Sequence, residues 1–226
     1  MNEEWAAYRR YHERRYRALM RVVADLGPDR VLNVGPMFET ELLRASGATV
    51  DTLGFANPAF PPREGERHIE WDLNEPGPDG DGSYDAIVMA EVIEHLHSAP
   101  ATVLRRLAGW LRPGGAIVIQ TPNAVALHKR LRMAAGRNPI EPIRADSSNP
   151  GHFHEYTLDE LREAAGAAGL EVGGVRTANY FGTSRGYAAL GRVLPPALRH
   201  GITIWLRTPP GSAPSRSTTS VPPAAP

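Results

Sequence analysis

The apolar positions of this chain fall into two spacings, and the spacing changes predict the elements. Residues 2–26 carry Trp5, Tyr8, Tyr16, Leu19, Val22 and Val23 among many arginines, which predicts a long helix ended by Gly27-Pro28. Short apolar runs at 30–35, 48–55, 68–73, 84–90 and 116–120 follow, separated by turn-forming clusters, and predict buried strands. Between them lie helical patterns. Residues 39–45 stop at Ser46-Gly47, and Val103, Leu104, Leu107, Trp110 and Leu111 form a stripe with Pro100 in the first turn. Residues 125–135 predict one more helix. Thr157-Leu158-Asp159-Glu160 is a capping box opening another, with Leu158, Leu161, Ala165 and Ala168 on one face. Residues 170–175 and 176–181 read as two late strands. Strands alternating with helices mean a mostly parallel sheet covered on both faces, so the expected class is α/β, doubly wound.

The same pattern divides the chain. Residues 1–28 read as an N-terminal helical cover and 29–181 as the main domain. Within the latter, 123–156 is an insertion too long for a plain connection and is expected to form a lid. Residues 182–207 read as a basic apolar segment, and 208–226, rich in Pro, Ser, Thr and Ala, as a disordered tail. There is no internal repeat.

Composition narrows the class. The 226 residues are 42% hydrophobic and 22% charged, enough for a core. No apolar run approaches the ~20 residues of a membrane-spanning helix, and the acidic start, Met1-Asn2-Glu3-Glu4-Trp5, is unlike a secretory signal. With no cysteine, disulfides, thiolate catalysis and zinc-thiolate sites are excluded, and the expected location is cytoplasmic. Formal net charge is zero, from 25 basic and 25 acidic residues, so nothing global points to nucleic acid. Lys129 is the only lysine, an arginine bias that fits a high-GC genome. After Glu171 come six arginines and no further acid. The stretch from Tyr180 to Arg207 is thus both apolar and basic, the composition of a segment lying on an anionic membrane or packing on its own domain.

Candidate chemistry gathers at the strand ends, where open α/β sheets bind ligands. Gly35 follows the first strand and allows close backbone approach. The positions that follow it are Met37 and Thr40, not the glycines of a dinucleotide fingerprint, which argues against NAD. After the 84–90 strand comes Glu91-Val92-Ile93-Glu94-His95-Leu96. A helix starting there would put Glu91, Glu94 and His95 on one face.

Four pieces in order, Val31-Leu32-Asn33-Val34-Gly35, the 91–96 block, Leu111-Arg112-Pro113-Gly114-Gly115 and Thr121-Pro122-Asn123, resemble class I S-adenosylmethionine-dependent methyltransferases over about residues 30–180. The resemblance implies a Rossmann-like seven-stranded sheet with an antiparallel last strand, and S-adenosylmethionine across the ends of the first four strands. It implies that Asn33 and Gly35 lie by the amino-acid part of the donor, Asp72 and Leu73 by the adenine, and Ala90 against the donor, with Met37 and Phe55 also at the donor site. Two departures stand out: Asn33 and Met37 replace an acid and a glycine, and Gly54-Phe55 stands where an acid usually holds the ribose. The 91–96 block further resembles ubiquinone-pathway O-methyltransferases and small-RNA 2′-O-methyltransferases. In the latter branch such a block and a distant histidine bind Mg²⁺. The distant histidine here is His152, with His154 a second candidate, which gives Glu91, Glu94, His95 and His152 as catalytic or metal-binding residues.

Three roles for that block remain open on sequence alone: ordering a turn over the donor, general-base catalysis by His95 or His152, and metal-assisted activation of a hydroxyl. The expected activity is O-methylation of a small molecule or saccharide. RNA 2′-O-methylation and a non-catalytic scaffold are the rivals, and nucleic acid is disfavoured as a partner by the neutral charge.

Overall fold

The computed structural model describes residues 3–145, 150–180 and 185–209, so the tail expected to be disordered lies almost wholly outside the described residues. Seven strands form one sheet in the order β3-β2-β1-β4-β5-β7-β6. Strands β1 (Arg30–Val34), β2 (Thr49–Gly54), β3 (His68–Glu70), β4 (Tyr84–Ala90) and β5 (Leu111–Pro122) run parallel. Strand β7 (Gly201–Arg207) runs antiparallel to both β5 and β6 (Glu171–Ala178). The order reverses between β1 and β4, and that reversal opens a crevice at the C-terminal strand ends.

The central strands are apolar throughout because both faces are covered, and the period of two decides which layer each residue joins. Val31, Ala86, Val88 and Val118 face α1 (Glu3–Leu26) and α2 (Phe38–Ala45), packing with Leu19, Val22, Val23 and Leu43. Leu32, Ile87, Met89, Ile117 and Ile119 face the opposite layer. There they meet Val103, Leu104 and Leu107 of α3 (Pro100–Ala108) and Leu161 and Ala165 of α5 (Leu158–Ala167). The N-terminal helix is therefore a layer of the core. Its three fully buried aliphatics contribute about 1.5–3 kcal/mol each, as an upper bound.

Helix α5 opens with the expected capping box: the Glu160 backbone N–H donates to Thr157 Oγ1 (3.2 Å) and the Thr157 N–H donates to Glu160 Oε2 (2.6 Å). The insertion is pinned at both ends by a bridge between Asn123 and Tyr156, and carries α4 (Leu127–Ala134).

The C-terminal region departs from expectation. The two late strands are one, β6, with an irregular register between Val172 and Gly174. Gly174 is required there because any Cβ would overlap the Trp205 ring. The last strand lies at 201–207, inside the segment expected to stand apart. Ile202, Ile204 and Leu206 are wholly buried in the sheet, so these apolar residues serve the core and are not a membrane-facing surface. Helix α6 (Arg185–Val193) carries exposed apolar side chains, Leu190 and Val193. Among the described residues, no helix is long and apolar enough to cross a membrane.

Candidate active site

A cavity of about 1430 Å³ opens over the C-terminal ends of β1, β2 and β4, walled on the outer side by α1 and the insertion. Its floor is the turn after β1. Gly35 has φ +71°, and a Cβ there would lie 2.8 Å from Val92 Cγ2, so only glycine lets the β1 and β4 turns meet. Of the residues expected around a donor, Gly35, Met37, Phe55, Asp72, Leu73 and Ala90 line this cavity. Asn33 does not: it is fully buried and its Nδ2 donates to Thr40 Oγ1 at 2.9 Å. Asp72 Oδ1 accepts from the Asn74 N–H (2.9 Å), which shapes the loop after β3. No carboxylate of β2 enters the crevice. Asp51 sits mid-strand opposite Leu32, bound to Arg30, Arg67 and Tyr84.

The block after β4 does not make the expected helix. Glu91 adopts φ +57°, uncommon for a residue with a side chain, while its N–H donates to Gln120 O at 2.7 Å. Only Ile93–His95 follow as a single 3₁₀ turn. Glu91 makes an ion pair with Arg15 of α1, 4.0 Å distant, while its carboxylate still feels the charge of Glu94.

Glu94 and His95 instead meet His152. Candidate ligand atoms of these three lie within 4.8 Å of one another, and the two imidazole centroids are 4.8 Å apart. His152 is delivered by main-chain bonds: the N–H groups of Phe153 and His154 both donate to Glu94 O, at 2.9 and 3.3 Å. His154 itself turns outward to Glu160. The His95 Nδ1 lies 2.8 Å from Gly151 O, a group that only accepts, so Nδ1 carries the proton and Nε2 keeps its lone pair. His152 Nδ1 is likewise 2.8 Å from Glu155 Oε1, and Glu155 is ion-paired with Lys129. Burial would raise Glu155, but its bonds to His152 and Lys129 hold it below the usual carboxylate range. Glu94 is the opposite case. Burial pushes it up to about 7; Thr121 Oγ1 donates to its Oε2 (2.9 Å) while Oε1 has no partner among the described residues.

Two imidazoles and one carboxylate suit Mn²⁺, Zn²⁺ or Fe²⁺. They do not suit Mg²⁺, which prefers oxygen ligands in near-octahedral geometry. Of the four residues expected to hold Mg²⁺, Glu94, His95 and His152 come together and Glu91 lies beside this group rather than in it.

Two residues escaped the sequence reading. Arg15 is 2% exposed and Glu39 is 0% exposed, and both line the cavity floor. Burial alone would lower Arg15, yet Glu91 and Glu39 reverse that and hold it firmly protonated. Burial raises both Glu39 and Glu91 above the usual range. A signal existed: Arg15 is in register with Leu19 and Val22, and Glu39 with Leu43, so each puts a charge into a buried apolar stripe.

A family model described as a methyltransferase domain matches residues 8–173. A protein of Mycolicibacterium smegmatis, named a probable S-adenosylmethionine-dependent methyltransferase, is 36% identical over 92 residues, 41% of this chain. The match spans 30% of that relative's length. Among solved structures, a SAM-dependent methyltransferase from Archaeoglobus fulgidus is similar at TM-score 0.60 and 16% identity, covering 92% of this chain and 100% of that one. The 1,6-didemethyltoxoflavin-N1-methyltransferase of Burkholderia thailandensis is similar at TM-score 0.55 and 20% identity, covering 92% and 90%. At such identities the structures speak for the fold.

Proposed function

The chain belongs to the methyltransferase-domain family, and on that footing we propose that it moves a methyl group from S-adenosylmethionine to a hydroxyl of a small molecule or saccharide. The observation that carries the acceptor chemistry is the pair of imidazoles at the end of β4. His95 has its Nδ1 tied back to Gly151 O and its Nε2 lone pair free, whereas His152 is held between two carboxylates, its Nδ1 on Glu155 and its Nε2 3.4 Å from Glu141; both stand beside the buried Glu94.

The donor supplies an electrophilic sulfonium methyl: the acceptor oxygen forms the new bond to carbon, the C–S bond breaks, and sulfur keeps the electron pair. The chain's residues do the rest. The Gly35 turn cradles the donor's amino-acid end, and Asp72 and Leu73 flank its adenine. His95 Nε2 takes the hydroxyl proton as the oxygen attacks, its Nδ1 proton being fixed on Gly151 O. Glu155 and Glu141 hold the neighbouring His152 in place, and Lys129 keeps Glu155 ionised. A positioned base of this kind contributes about 10²–10⁴-fold, and in-line positioning up to roughly 7–11 kcal/mol. Family membership and this poised cluster weigh against a scaffold, and the neutral charge weighs against RNA.

The test is methyl transfer to a panel of hydroxylated acceptors by the parent and His95→Gln. The expected result is a loss of about 10²-fold or more in kcat, with S-adenosylhomocysteine affinity unchanged. Equal turnover by the variant would remove His95 as the base.

A second reading is favoured by the clustering of Glu94, His95 and His152: a transition-metal ion bound there would acidify the hydroxyl. Chelator-treated protein separates the two readings. Activity lost to chelation and restored by Mn²⁺ or Zn²⁺ supports the ion, and activity indifferent to chelation supports the imidazole base.

A further inference from the structure

The family-typical acid at the end of the first strand is Asn33 here, and Asn33 is buried behind the cavity wall. Six residues on, in the first turn of α2, Glu39 lines the cavity with no exposed surface. Neither of its carboxylate oxygens has a partner of full hydrogen-bond geometry among the described residues, although the Asn33 amide and the Met37 and Glu39 N–H groups stand near enough to favour its charged form; Asn33 Oδ1 is also unpartnered. Glu39 forms no ion pair within 4.0 Å; the nearby Arg15 makes its ion pair with Glu91. A carboxylate so enclosed and so unsatisfied is unfavourable in the free protein and marks a place where a cationic donor group is missing.

We propose that Glu39 is the anchor for the α-ammonium of the methyl donor, taking over the charge that Asn33 gave up. This rests on the reading of the site as one for S-adenosylmethionine. Charge supports the assignment. With both carboxylates ionised, the group of Arg15, Glu39 and Glu91 carries one net negative charge, and the donor, with ammonium, carboxylate and sulfonium, carries one net positive charge. Position supports it too. Glu39 shares the β1–α2 turn with Gly35, at the floor of the cavity, whereas Glu94, His95 and His152 stand at the reacting end. A donor laid along the crevice puts its amino-acid group over Gly35 and Glu39 and its methyl toward the imidazoles.

The experiment is isothermal titration calorimetry of the full chain with S-adenosylhomocysteine and with its deamino analogue, the 3-carboxypropyl thioether of adenosine, which lacks only the amino group. Parent, Glu39→Gln and Asn33→Asp/Glu39→Gln are compared, with thermal unfolding as the folding control. The parent is expected to bind S-adenosylhomocysteine roughly tenfold or more tightly than the analogue. In Glu39→Gln that preference is expected to fall to within about twofold, because only the amino-bearing ligand weakens. Restoring an acid at position 33 is expected to recover part of the preference. Should Glu39→Gln keep the parent's discrimination, or weaken both ligands equally, the assignment of Glu39 is overturned while the donor site stands. No preference in the parent overturns it without any variant being needed. If the parent binds neither ligand, the donor reading fails and takes the proposal with it.

Discussion

The two ends of the sheet treat buried carboxylates in opposite ways. At the N-terminal side, Asp51 is fully buried and fully bonded: it accepts from Arg30 Nη2 (2.7 Å), Tyr84 Oη (2.7 Å) and the Arg67 N–H (2.8 Å). Burial would raise it, but these donors win and hold it below the usual carboxylate range. At the C-terminal side, Glu39, Glu91 and Glu94 are all raised by burial, and each has at least one oxygen without a hydrogen bond among the described residues. The same side-chain chemistry stabilises the fold at one edge and destabilises it at the other. Enzymes concentrate such unsatisfied, perturbed groups where a ligand will complete them.

The contrast is open to attack in order of size. Asp51→Asn should be the costliest change, lowering stability by about 2–4 kcal/mol in chemical denaturation while leaving S-adenosylhomocysteine binding intact. Its contribution has the usual carboxylate sign, present at neutral pH and lost as pH falls through the depressed native value.

Glu94→Gln should act with the other sign. The native Glu94 value of about 7 lies above that of an unfolded glutamate, so the native state binds more protons across that window. Stability is then highest below about pH 4 and erodes as pH rises through about 7. The amide escapes that erosion. Glu94→Gln should stabilise the ligand-free protein by roughly 1–3 kcal/mol at pH 8 and by nothing measurable at pH 4. An equal effect at both pH values would refute the contrast.

The smallest test asks whether nearness to the cavity alone is responsible. Thr157 follows the insertion, yet its capping box with Glu160 is complete. Thr157→Ala should therefore cost about 1 kcal/mol in the ordinary stabilising sense, read as a lower melting temperature.

How much of this was legible beforehand varies element by element. Residues 84–90 match β4 to the residue, because a continuous apolar run between turn signals has few other readings. The late strands were misread. The split expected between residues 175 and 176 does not exist: one strand runs Glu171–Ala178, its glycines making room for the Trp205 ring, a contact between residues some thirty positions apart. The run at 201–207 alternates as a strand should, but its flanking arginines drew attention to the surface. In the site, the partnership of Glu94, His95 and His152 follows from the block and the distant histidine. The place of Glu91 beside that group does not. Its backbone takes a left-handed φ, which no periodicity encodes for a residue with a side chain. Arg15 and Glu39 were visible as charges in apolar stripes, but their convergence required α1 and α2 to be placed in space.

On its C-terminal side the strap that carries His152 is held by main-chain bonds, from the amides of residues 153 and 154 to the Glu94 carbonyl. Such a tether is blind to side-chain identity. Phe153, which lines the cavity rim, and His154, which points outward, can be exchanged without moving the imidazole before them. Adaptation to a new acceptor thus has a route that leaves the proton-handling machinery untouched: the rim diversifies while the anchor keeps its grip.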